Sequence, residues 1–88
     1  MIIDKPKIIK NHCFTELVYQ RINRKLKLNY SKIAIETFIK TLLIETPLIN
    51  YIKKGKNFYI LNKKHQVRIT VNSTTFRIIT VDKTINSI

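Results

Sequence analysis

The sequence predicts an α+β fold: an N-terminal antiparallel helical hairpin packed on a three-stranded antiparallel β-meander, with a fourth strand as the alternative for residues 48–54. Three observations point there. Apolar residues recur at helical spacing from Phe14 to Leu43, they alternate from Phe58 onward, and Pro47 and the sole glycine, Gly55, punctuate the change of period. At 88 residues the chain is expected to be one domain over 1–88, with an N-terminal segment in 1–10, two helices in 11–45 and the meander in 48–83.

Residues 1–10 mix apolar and basic residues around Pro6, and Ile8 and Ile9 suit an edge strand or simple packing. Phe14, Val18, Ile22 and Leu26 then form one helical ridge with Tyr19 beside it, and Asn11 or Thr15 is the candidate cap. Arg21, Arg24 and Lys25 make a basic stripe on its flank. Ser31 is a good N-cap for a second helix whose buried positions are Ile35, Phe38, Ile39, Leu42 and Leu43. Pro47 pushes Thr46 out of helical geometry, so this helix should end near Glu45. The short link between the helices predicts their antiparallel arrangement.

The run GKNFYILNKKHQVRITVNSTTFRIITVDK, residues 55–83, reads as three strands. Placing Ile60 opposite Ile69 sets Phe58 against Val71 and Asn62 against Val67, with KKHQ as the loop. Placing Ile69 opposite Ile78 sets Val71 against Phe76, with NSTT as the second loop. Both registers put Phe58, Ile60, Val67, Ile69, Val71, Phe76 and Ile78 on one face, for the helices to cover. The other face would carry the rows Tyr59–Thr70–Arg77 and Leu61–Arg68–Ile79, with Val81 as a further aliphatic and Lys63 and Lys64 in the adjoining turn. A purely solvated face usually carries fewer apolar residues. Something is therefore expected to cover it: nucleic acid, a partner protein, a second copy, or the N-terminal segment.

Seventeen Lys and Arg against five Asp and Glu give a formal charge of +12. Such a domain attracts polyanions: nucleic acid, an acidic protein surface or an anionic membrane. An AT-rich genome also encodes Lys, Ile and Asn freely, which accounts for many lysines but less easily for the shortage of acids. No apolar run approaches the roughly 20 residues of a membrane span, the charged run MIIDKPKIIKN is not expected to act as a signal peptide, and both apolar helix faces are needed for the core, so a membrane role is not expected. One cysteine, Cys13, excludes an intrachain disulfide and reads as a small buried hydrophobe in a reducing, cytoplasmic setting.

Few chemistries fit. His12 and Cys13 are adjacent and His65 stands apart, so no metal is expected; one glycine leaves no phosphate loop, and no cofactor is expected. Asp4, Glu16, Glu36, Glu45 and Asp82 are too scattered for a two-metal nuclease. A metal-independent ribonuclease of the toxin kind could draw on Tyr59, His65, Arg68 and Arg77, each of which also reads as an ordinary surface residue. Binding is easier to motivate. Arg68 and Arg77 suit bidentate phosphate contacts, Tyr59 suits base stacking, and Lys63, Lys64, Arg21, Arg24, Lys25, Lys53, Lys54 and Lys56 extend the footprint.

The runs YQRINRKLKLNYSK, GKNFYILN and RITVNSTTFRIITVDK resemble a family of short bacterial proteins catalogued as domain of unknown function 3781, over roughly residues 14–83. The family carries no established activity, so no functional residue transfers. The resemblance implies a compact bacterial domain of prophage type, a setting in which inhibitors of host defence nucleoproteins occur. The leading expectation is a non-enzymatic binding module for nucleic acid, or for the nucleic-acid-binding groove of a partner protein. The alternatives are the ribonuclease and a homodimer built on Leu61, Ile79 and Val81.

Overall fold

The computed structural model describes residues 2–84. Met1 and residues 85–88 of the expected domain lie outside them. Helices α1 (Lys5–Asn11), α2 (Glu16–Leu26) and α3 (Lys32–Glu45) precede an antiparallel sheet of strands β1 (Tyr51–Lys54), β2 (Asn57–Asn62), β3 (Val67–Asn72) and β4 (Ile78–Lys83), in that spatial order. The class is the expected α+β, and the sheet takes its four-stranded form.

The N-terminal segment is a helix rather than an edge strand. Pro6 stands in the first turn, where its missing N–H is not needed, and the Asp4 carboxylate accepts from Lys7 N at 3.1 Å. Ile8 is buried, and Lys5 Nζ donates to the carbonyls of Ile44 and Thr46 at 2.9 and 2.6 Å, tying α1 to the end of α3. The Asn11 side chain bonds back to Lys7 O, so Asn11 closes this helix instead of opening the next. Thr15 holds the N-cap position of α2, without a side-chain cap bond.

On α2 the ridge Val18, Ile22, Leu26 is buried, while Phe14 lies ahead of the helix and stacks on Tyr19 with ring centroids 5.3 Å apart. Lys27 ends α2 in the left-handed region, φ 55°, so that Leu28 N reaches Asn23 O at 2.8 Å; a lysine occupies the site that glycine usually takes. Ser31 Oγ caps α3 by accepting from Ala34 N, and α3 ends at Glu45 as Pro47 requires. On the exposed helix faces Glu16 pairs with Lys32, and Tyr19 Oη donates to Glu36 at 2.5 Å. That bond, with burial and the two glutamate charges, pushes the Tyr19 phenol up to about 12. Ile8, Ile35, Ile39, Leu42 and Leu43 share one core with the inner face of the sheet, while α2 runs chiefly along β4.

The first long hairpin has the expected register, with Phe58 facing Val71, Ile60 facing Ile69 and Asn62 facing Val67. The second does not. Asn72 Oδ1 accepts from both Thr74 N and Thr75 N at 2.8 Å, and Phe76 takes φ 60°, so residues 73–76 form the loop and Asn72 pairs with Arg77. Val71 then faces Ile78, but beyond a bulge Thr70 faces Thr80 and Ile69 faces Val81. The expected pairs Ile69–Ile78 and Val71–Phe76 are absent. Ile79 is the extra residue, and it lets Ile78 and Val81, three positions apart, both turn inward. Val81, expected on the outer face, is fully buried there and is not available to a dimer contact.

Both sheet edges are occupied or blunted. Cys13 forms a parallel bridge on the β4 edge, with Cys13 N bonded to Phe76 O and Ile78 N to Cys13 O, and Arg21 Nη1 donates to Ile79 O at 3.0 Å. Cys13 is exposed, not a buried hydrophobe as expected; its placement is decided by these backbone bonds. At the other edge β1 is short and carries Lys53 and Lys54. It turns into β2 through Gly55, at φ 62°, and Lys56; positive φ at the first loop residue alone fits a type II′ turn.

Candidate nucleic-acid interface

Residues of all three helices join the inner sheet face in one core, with α2 along β4, whereas the outer face exposes Ile52 and Arg68 and buries Thr70. Cross-strand pairing builds two rows there: Ile52–Tyr59–Thr70–Thr80 and Leu61–Arg68–Asp82. Ile52, Lys54, Tyr59, Leu61, Arg68 and Thr84 line an open groove of about 490 Å³. Ile52 is 57% exposed, Arg68 is exposed, and Tyr59 and Leu61 are half-buried. The Arg68 guanidinium lies over the Tyr59 ring, 6.0 Å from its centroid, close enough for a cation–π contact.

Asp82 joins this face to the basic stripe of α2. Its carboxylate pairs with Lys25 Nζ at 2.9 Å and stands 4.0 Å from Arg68 Nη2. With Arg21 held on Ile79 O and Arg24 exposed beside them, the two patches expected separately form one surface. Sequence reasoning counted Asp82 only as a scattered acid, since the unbulged register sets Ile79, not Asp82, opposite Arg68. Ile52 was also missed, because residues 48–54 carry no clear period before β1 pairs with β2.

The remaining candidates lie elsewhere. Arg77, expected beside Thr70, follows the β3–β4 loop and bridges to Cys13. Lys53, Lys54 and Lys56 sit at the same end, where the Lys56 carbonyl accepts from Ser73 N and Oγ at 2.8 Å; of these, Lys54 also reaches the outer groove. Lys63 and Lys64 are at the opposite end and line a second groove of about 460 Å³ with Glu45, Thr46, Asn50 and Asn62.

His65 belongs to that second site. Its Nδ1 lies 2.8 Å from Glu45 Oε1, its backbone N donates to Asn62 Oδ1 at 2.8 Å, and its ring meets Phe38 edge-on. The ribonuclease set is therefore divided: Tyr59 and Arg68 adjoin, but His65 and Arg77 flank opposite ends of a six-residue strand, roughly 20 Å apart at about 3.3 Å per residue. Cys13 Sγ is directed to Thr75 O and not to a histidine. Among the described residues no group of three or more His, Cys, Asp or Glu could hold a metal ion, and no helix is long and apolar enough to cross a membrane.

The second site has a titration consequence. The hydrogen bond from Asn62, reinforced by His65 and Lys64 against the opposing effect of desolvation, holds the Glu45 carboxyl below its ordinary range. Its contribution to stability is then full above the unfolded value, about 4.3, and is lost as pH falls through the lower folded value. Glu45→Gln should lower the melting temperature at neutral pH and leave a shallower acid decline. Parallel pH profiles for the two proteins would refute this role of Glu45.

A family model described as "Protein of unknown function (DUF3781)" matches residues 6–82. The match begins at Pro6, so α1 is part of the shared domain, where the resemblance read from the sequence had left the first ten residues outside. No curated protein and no solved structure matches the chain.

Proposed function

Because the chain belongs to the DUF3781 family, whose description names no activity, we propose a function from its surface: a small non-enzymatic module that binds nucleic acid on the outer face of its sheet. One observation carries this reading. The outer face sets Lys54 and Arg68 around Tyr59, and Asp82 links that group to the cationic stripe of α2, in a protein of net charge +12. Cations there supply the salt-dependent attraction to phosphates that dominates nucleic-acid affinity. The same surface would also suit an acidic groove of a partner protein, where carboxylates stand in for phosphates.

The test is fluorescence anisotropy with labelled RNA and DNA across a salt series, with the RNA then run on a gel. Lys54→Glu with Arg68→Glu should weaken binding at least about tenfold and flatten the log–log salt slope by roughly 1.4–1.8, two contacts at about 0.7–0.9 each. Lys10→Glu with Lys40→Glu, an equal charge change on exposed helical positions, should do much less. Equal losses from both pairs would reduce the surface to unspecific charge. Cleaved RNA would replace the binding module with a nuclease.

A further inference from the structure

We propose that the outer sheet face recognises single-stranded nucleic acid by its bases, with Tyr59 as the stacking platform; this rests on the nucleic-acid reading above and specifies its substrate. The centre of the face is not what a phosphate backbone would meet well. Ile52 faces Tyr59 across the β1–β2 pair, and Leu61 lies next to it on the same face of β2. Aliphatic surface at these positions gains nothing against the sugar–phosphate exterior of a duplex, but it covers the flat apolar faces of unpaired bases.

Asp82 points the same way. A carboxylate set among these cations repels phosphate, yet it can accept a hydrogen bond from a base amino group. It also pairs with Lys25 while standing near Arg68, whose guanidinium is over the Tyr59 ring. The face is thus mixed: Tyr59, Leu61 and Arg68 stand on the two inner strands, Ile52 and Lys54 share edge strand β1, and Asp82 on edge strand β4 carries the link to Lys25.

Duplex recognition lacks an equivalent. The major groove of DNA admits a helix or a two-stranded ribbon, whereas this groove spans β1, β2 and β3 of a four-stranded sheet. A strand laid across it would place phosphates near Lys54 and Arg68 and one base on Tyr59, the only aromatic ring among the residues lining the groove.

The probes are a mixed-sequence single strand, an abasic strand of the same length and charge, and a duplex, titrated into the wild-type protein at fixed salt. The single strand should bind about tenfold or more tightly than the abasic strand and more tightly than the duplex. Tyr59→Ala should bring single and abasic strands to near parity, and Tyr59→Phe should restore the difference. Equal binding of the single and abasic strands by the wild type, or tighter binding of the duplex, overturns base stacking while leaving the nucleic-acid reading in place. Binding to none of the probes overturns both. The abasic comparison uses the unaltered protein, so an unstable Tyr59→Ala variant does not blunt the test.

Discussion

Ile69→Ala should destabilise the domain by about 2–5 kcal/mol, the range for removing a buried isoleucine side chain down to its β-carbon. Ile69 is fully buried at the middle of the inner sheet face, flanked by Ile60 on β2 and Val81 on β4. Small domains are typically stable by about 5–15 kcal/mol in all, so the loss should be plain in the urea midpoint. A shift worth under about 1 kcal/mol would mean that the core closes over the cavity. Pairing adds a sharper test. In double-mutant cycles Ile69 should couple to Val81 more strongly than to Ile78, since contacting residues share roughly 0.5–3 kcal/mol of interaction. The reverse order would restore the unbulged register.

Asn62→Ala should cost about 1–3 kcal/mol, a large effect for a polar side chain, because it removes three hydrogen bonds made by a buried amide, one of them to the buried Thr46. Asn62 is 3% exposed at the end of β2. Its Nδ2 donates to Glu45 Oε1 and Thr46 Oγ1, both at 3.0 Å, and its Oδ1 accepts from His65 N. Thr46 keeps its bond to Leu42 O at 2.6 Å, which limits the damage on that side. The same substitution should let the Glu45 carboxyl titrate upward, since the Asn62 bond is the main cause of its depression. An NMR titration in which Glu45 does not move would show that another group sets its affinity for protons.

Much of this architecture is written locally. The spacing Ile35, Ile39, Leu42, Leu43 behind Ser31, and the stop at Pro47, specify α3 without reference to anything distant. The β2–β3 register follows from two apolar runs flanking a four-residue loop, because a slip by one residue would turn the apolar set out to water. The misread parts have equally physical causes. At α1 the short stretch KPKIIKN carries little periodicity, and it gains its helical form from the Asp4 cap and from anchoring of Lys5 on the end of α3. At β4 the side chain of Asn72 selects the loop and the bulge follows, which strict alternation cannot represent.

The candidate site divides along the same line. Residue type alone marks Tyr59 and Arg68 as neighbours on an outward face, because both belong to the hairpin whose register is locally specified, and net charge marks the class of partner. The role of Asp82, the junction with Lys25, the arrival of Ile52, the departure of Arg77 to the Cys13 bridge and the capture of His65 by Glu45 all depend on contacts between segments far apart in the chain. Periodicity reports which side of an element each residue occupies. Which residues of different elements meet is decided only when a bulge, a turn side chain and the packing of helices on the sheet fix the phase of one segment against another.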